Sequence, residues 1–154
     1  DEKNILIDLS HLNEKGFWDV ANLSSKPLIA THSNSHELCE HSRNLTNHQL
    51  KIIKESKGIV GINFATAFLR PDGRMIPDTS LDIILKHTDH LIEHLGEEGV
   101  AIGSDFDGAV VPDKIKDLSG INLLKQRMYE NNYGKEIIEK IFFKNWINFL
   151  KKNL

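Results

Sequence analysis

Four short apolar runs, set at intervals along the chain and separated by amphipathic stretches, constrain this sequence more than any other feature. They are "NILIDLS" (4–10), "PLIATHS" (27–33), "GIVGINFA" (58–65) and "GVAIGSD" (99–105). Each is too short for a typical helix, and most lack the strict alternation of a strand with one wet face. They read as strands buried on both faces. Helical patterns fill the intervals. Residues 13–22 suit a short helix. In "LTNHQLKIIKESKG", Thr46 stands as N-cap, Leu50, Ile52 and Ile53 supply an apolar face, and Gly58 marks the stop. "TSLDIILKHTDHLIEHLG" spaces Leu81, Ile84, Leu85, Leu91, Ile92 and Leu95 near the helical period and ends on Gly96. "LSGINLLKQRMYENN" (118–132) and "GKEIIEKIFFKNWINFLKK" (134–152) read as two further amphipathic helices.

The order β-α-β-α-β-α-β-loop-α-α predicts an α/β fold with a parallel sheet. Strand starts near 4, 28, 59 and 99 suit successive units of a TIM-type (β/α)8 barrel, which needs about 250 residues for its eight strands. A chain of 154 residues with no linker or low-complexity segment accommodates about four βα units plus C-terminal helices. The expectation is therefore a single domain over 1–154 that forms half of a barrel. Such a half leaves two open sheet edges, which proteins cover or pair. The other half of a barrel, or a second copy of this chain, is the expected partner.

Composition narrows the function classes. Charged residues make up 27% and the formal net charge is −3, which offers no basic surface for nucleic acid. No apolar run is long enough to cross a membrane, and the N-terminus shows no basic-then-apolar leader. A single cysteine, Cys39, excludes an internal disulfide framework and fits a reducing, cytoplasmic compartment. Gly-rich phosphate loops, the GxSxG elbow and HExxH are all missing.

Barrel enzymes carry their chemistry at the C-terminal ends of the strands. Here His11 follows the first run, His32 the second, Asn63 the third and Asp105 the fourth, so the four converge on one mouth. Two histidines and an aspartate are ligand types for zinc or a similar metal. Asp8 either orients a ligand or bonds the backbone, with the second favoured. Arg43, just before a helix start, suits bidentate capture of a carboxylate. Asp107, beside Gly108, is a candidate for turn geometry or for supporting Asp105. His36 and His41 read as exposed loop residues. His87, His90 and His94 form a helical stripe, read as surface or rim for want of a carboxylate at ligand spacing. Cys39 has no base partner and reads as inert.

Taken jointly and in this order, "DLSH" (8–11), "ATHSNSHELCEHSRNLTNHQL" (30–50), "GIVGINF" (58–64), "IGSDFDG" (102–108) and "NWINFL" (145–150) resemble the C-terminal half of the membrane (renal-type) dipeptidases. These are zinc metallopeptidases with an amidohydrolase-like barrel. The resemblance implies that His11 and His32 are the histidine ligands of one zinc of a binuclear pair. It implies that Arg43 holds the substrate's terminal carboxylate, with Asn63 also lining the substrate site. Asp105 would sit by the zinc-bridging water, as proton acceptor or as partner of the substrate amine. Family members cleave dipeptides, often with a D-residue on the C-terminal side. The family's His-x-Asp pair, its bridging Glu and a further substrate-binding His belong to segments that do not precede residue 1. The expectation is thus an incomplete site, inactive without the N-terminal half. Alternatives are a non-catalytic half-barrel or homodimer holding at most one metal weakly, or a different amidohydrolase-like hydrolase. One departure lies near the C-terminus, where the family tends to small residues before the final helix and this chain has Phe143 and Lys144.

Overall fold

The computed structural model describes residues 5–154. In chain order the elements are α1 (Glu14–Leu23), β1 (Ile29–Ala30), α2 (Asn47–Glu55), β2 (Ile59–Asn63), α3 (Thr66–Leu69), α4 (Asp82–Leu95), β3 (Val100–Ser104), α5 (Ile121–Glu130), α6 (Lys135–Glu139) and α7 (Asn145–Asn153). Short 3-10 turns at Glu97–Gly99 and Leu118–Gly120 lead into β3 and α5. The sheet is parallel throughout, in the order β1-β2-β3. The mixed α/β expectation holds, with a smaller sheet than the sequence suggests.

The difference lies at the first run. Instead of a fourth strand, "NILIDLS" contributes a single parallel bridge, Asp8 to Ile29, supported by Leu9 N–H donating to the Ile29 carbonyl at 2.9 Å. Asn4 lies outside the described residues. The reason is local. The N–H of Thr31, which would extend the ladder, donates instead to the Asp8 carboxylate at 2.9 Å, so side-chain bonding stops the strand pairing. It also keeps β1 to two residues.

Both faces of the sheet are buried, as the apolar runs require. Ala30, Val60, Ile62 and Val100 belong to the main core, packed with Phe17, Leu50, Ile53, Ile84 and Leu91 of the helices. Ile29, Ile59 and Ala101 face the other way, against Trp146 and Phe149 of α7. Because side chains alternate along a strand, Gly61, Asn63 and Gly103 share this second face. The residues past its upper end make the site.

Local signals set the helix ends. Thr46 caps α2 as expected and forms a full capping box with Gln49. Helix α2 ends at Glu55, however, and Lys57 takes the left-handed turn at φ 59°. Gly58 is needed for a different reason: a Cβ there would lie 2.0 Å from the Leu28 carbonyl. Gly96 ends α4 at φ 80°, a conformation glycine adopts freely.

The stretch read as one helix over 134–152 is broken. A π-helical turn, Lys140–Lys144, joins α6 to α7. This turn contains Phe143 and Lys144, and Lys144 pairs with Glu139 at 2.6 Å. It presents Asn145 inward, where its amide donates to the carbonyls of Glu97 (2.6 Å) and Val100 (2.8 Å). Trp146 Nε1 donates to the Ile102 carbonyl at 2.9 Å. These side chains occupy β3 carbonyls at an edge of the sheet.

His87 is not on the surface. At the centre of α4 it is fully buried, accepting from Ser35 N–H on Nδ1 at 3.1 Å and donating from Nε2 to the Leu69 carbonyl at 3.0 Å. Burial drives its pKa down to about 4, so the ring is neutral. The loop after β1 packs over it, a contact that helical periodicity does not report. His36 and His41 are likewise half-buried rather than exposed.

Candidate active site

The segment after the Asp8 bridge, the loop after β1, the end of β2 and the turn after β3 bring the expected residues together. His11 Nε2 and His32 Nε2 stand 2.9 Å apart. Arg43 Nη2 lies 3.3 Å from His11 Nε2. Asn63 Nδ2 donates to Asp105 Oδ2 at 2.9 Å. His11, Arg43, Phe68, Met75, Asp105 and Asp107 line one cleft of about 630 Å³.

A relay that the sequence reading divided differently fixes His32. Asp8 bonds the backbone, through Ser10 N–H at 3.1 Å and Thr31 N–H at 2.9 Å, and it also accepts from the Thr31 hydroxyl at 2.5 Å. With its proton committed to Asp8, Thr31 Oγ1 can only accept from His32 Nδ1, 2.7 Å away. His32 therefore carries its proton on Nδ1 and its lone pair on Nε2. Partial burial pushes the Asp8 carboxyl up, yet the Thr31 and Ser10 bonds outweigh it and leave its pKa below the ordinary value. Burial also lowers the His32 pKa, aided by Arg43 and His11 against the pull of Asp105 and Asp8. The ring is thus held neutral near pH 7.

The facing nitrogens define the chemistry of the pair. Arg43 can only donate, so its contact with His11 calls for a lone pair on His11 Nε2. Two imidazole lone pairs then meet at 2.9 Å. That arrangement is repulsive by itself and is relieved by a cation between or beside them. Two nitrogens of a tetrahedral zinc site stand about 3.3 Å apart, close to the spacing here. The residues present fit a zinc-type ion.

Arg43 keeps an unpaired donor beside an aromatic ring. Its guanidinium lies over the Phe68 ring, 5.4 Å from the centroid, and its Nη1 is buried without a hydrogen-bond partner. Burial lowers its pKa, while Asp105 and Asp8 raise it. A buried donor left unpaired costs about 1–3 kcal/mol, more when charged, so a ligand oxygen there is strongly favoured.

Asn63 is fully buried. Its Nδ2 bonds Asp105 and, at 3.3 Å, the His32 carbonyl, while its Oδ1 accepts from Ala65 N–H at 2.7 Å. The side chain of Asn34 clamps its backbone, accepting from Asn63 N–H at 3.0 Å and donating to its carbonyl at 2.9 Å. Asn34 thus continues the β1–β2 pairing with a side chain where the strand has stopped.

Beyond β3 the chain turns tightly. The β2–β3 register shifts at Asn63, and Ser104 (φ 34°), Asp105 (φ 66°) and Asp107 (φ 63°) are all left-handed. Three such non-glycine residues in four are an uncommon concentration of strain, of the kind that clusters at functional sites. Gly108 admits the turn, since a Cβ there would stand 2.5 Å from Asp105 Oδ1. Asp107 is exposed at the cleft wall. Gly61 and Gly103 matter equally: a Cβ on either would come within 2.0 and 2.1 Å of the Thr31 carbonyl. They let the residue before His32 lie against the sheet. Thr31, Asn34, Phe68 and these two glycines escaped the sequence reading. The Gly pair was visible as apolar-run glycines, which mark close backbone approach, whereas nothing local singled out Thr31 or Asn34.

Cys39 is buried, its thiol pushed up by burial. Among the described residues no helix is long and apolar enough to cross a membrane.

The sequence and fold have close counterparts. Residues 1–153 match the family model "Membrane dipeptidase (Peptidase family M19)", and the chain belongs to this family. Among solved structures, a metallo peptidase from Rhodobacter sphaeroides, liganded with a phosphinate mimic of the dipeptide L-Ala-D-Ala, is 48% identical and superposes with a TM-score of 0.97 over 99% of this chain and 44% of its own. A protein in the pqqA 5′ region of Klebsiella pneumoniae is 48% identical over 94% of this chain and 54% of its own length. A dipeptidase of Schizosaccharomyces pombe is 32% identical over 96% of this chain and 36% of its own. The chain spans about half the length of such relatives, or less.

Proposed function

We propose that this chain is the C-terminal half of a (β/α)8-barrel metallodipeptidase, folded as one domain over 1–154, and that it hydrolyses dipeptides once the N-terminal half of the barrel completes the site. The observation that carries this reading is the meeting of two Nε2 atoms, from His11 and His32, beside a buried and unpaired Arg43 Nη1. In this proposal His11 and His32 hold one zinc of a binuclear pair. A zinc ion there would acidify water and polarise the scissile carbonyl. Arg43 binds the terminal carboxylate of the dipeptide and orients it over the cleft. Water adds to the carbonyl carbon, Asp105 accepts its proton, and the same proton passes to the amine nitrogen as the C–N bond breaks. Asn63 has no free amide hydrogen for substrate, so its role is to position Asp105. Asp107 supports the turn that presents Asp105. The lone, buried Cys39 suits a cytoplasmic setting.

The test combines this chain with the N-terminal half of the Rhodobacter peptidase and zinc, and follows D-Ala release from L-Ala-D-Ala. The expected result is hydrolysis by the combination, none by the chain alone, and loss of about 100-fold in kcat/KM on Arg43→Ala, the scale of a lost charged pair. Equal hydrolysis by the chain alone, or none by a folded, zinc-loaded combination, overturns the reading.

A further inference from the structure

Helix α4 carries a second group of ligating side chains. His90, Glu93 and His94 follow one another in the order His-x-x-Glu-His. Spacings of three and four residues place side chains on one helix face. Each of the three offers a ligand atom within 4.8 Å of the other two. Glu93 supplies the carboxylate that completes the histidine stripe as a ligand set.

The two rings are held as ligating histidines are held. They stack with centroids 4.2 Å apart and planes 23° from parallel. His94 Nδ1 lies 2.9 Å from the His90 carbonyl, and His90 Nε2 lies 2.9 Å from Asn47 Oδ1. Both partners are oxygens that accept, so each ring spends its proton there and keeps a lone pair on its other nitrogen. An oxygen acceptor on the non-ligating nitrogen is the usual support of a metal-bound imidazole. The group occupies the last turns of a 14-residue helix, where the helix dipole favours a cation. Glu93 and Glu37 supply two negative charges near His90.

We propose that His90, Glu93 and His94 form a binding site for a divalent transition-metal ion of the zinc type. Two imidazoles and one carboxylate are a donor set for Zn2+, Ni2+ or Cu2+, whereas Ca2+ and Mg2+ want oxygens. The exposed Glu93 side chain closes the ligand spacing, and water completes the coordination. Through Asn47, the first residue of α2, the ion steadies the packing of α2 on α4. None of this depends on the hydrolase reading, because it uses no residue of the strand-end site.

The test uses the chain carrying His11→Ala and His32→Ala, freed of metal by chelator and titrated with Zn2+ against a chromophoric chelator. The expected result is one bound equivalent, weakened tenfold or more by His94→Gln and by His90→Gln. Zinc should also raise the Tm of this protein and not that of its His94→Gln form, since a ligand stabilises the state it binds. Should the double variant fail to fold, the same titration on the unaltered chain must lose one equivalent on His94→Gln. No zinc uptake by the folded double variant, or uptake indifferent to both glutamine substitutions, overturns the proposal.

Discussion

Two side chains show what single hydrogen bonds decide. Thr31 Oγ1 stands between Asp8 and His32, so Thr31→Val removes the acceptor that holds His32 in its Nδ1–H form. Valine keeps the shape and loses the hydroxyl. Zinc affinity should fall by about 10- to 100-fold, the range seen when such supports are removed, with the circular dichroism spectrum unchanged. Full affinity in the folded variant would show that the hydroxyl does not orient the ring. His87 makes a prediction of the opposite kind. Its pKa falls from 6.5 to about 4 on folding, so the unfolded chain binds the extra proton first as pH drops. Its contribution is fully present above pH 6.5 and is lost progressively between pH 6.5 and 4, by about 3 kcal/mol in all. Urea midpoints across that window should fall with pH, and His87→Asn should flatten the slope attributable to this group. The sequence displayed both residues, but only as a threonine before a histidine and a histidine on a helix. Their partners lie 23 and 52 residues away.

Elements were legible where their determinants are local. Helix α2 was readable because Thr46 and Gln49 stand three apart and close a capping box. Thr46→Ala should cost about 1 kcal/mol, read from the urea midpoint, with little effect on the site. Strands β2 and β3 were readable from continuous apolar runs, since both faces are covered. The first run failed as a strand because Asp8 diverts the Thr31 amide, and the long C-terminal helix failed because a π turn sits inside a pattern that stays amphipathic through it. The glycine pair belongs at this scale too. Gly103→Ala would put a methyl 2.1 Å from the Thr31 carbonyl and 2.9 Å from that of Gly61, backbone atoms that cannot swing away. The expected outcome is a loss of about 3 kcal/mol or more together with displacement of His32. An alanine variant of unaltered urea midpoint would mean that the strand ends are looser than the packing indicates.

At the scale of the whole molecule, the chain carries its candidate site on a three-stranded sheet and spans about half the length of relatives it matches. Ile5 and Ile7, beside the Asp8 bridge, are exposed at 66% and 48%. Joined to the N-terminal half of the Rhodobacter peptidase, the chain should gain stability as well as activity, seen as a rise in Tm on mixing. A pair that elutes separately, with no change in Tm, would argue for self-association of this chain instead. The sequence by itself determined the alternation of apolar runs and helices, the parallel sheet, the Thr46 cap of α2, and the placement of His11, His32, Asn63 and Asp105 after successive runs. Those follow from periodicity and from the common direction of parallel strands. Only the tertiary structure decided which nitrogen of His32 is free, that Asn63 bonds Asp105, that Arg43 keeps an unpaired donor, and that His87 is buried. These depend on contacts between segments distant in the chain, set by packing to within tenths of an ångström, and a pattern of residue types along one strand or helix carries no record of them.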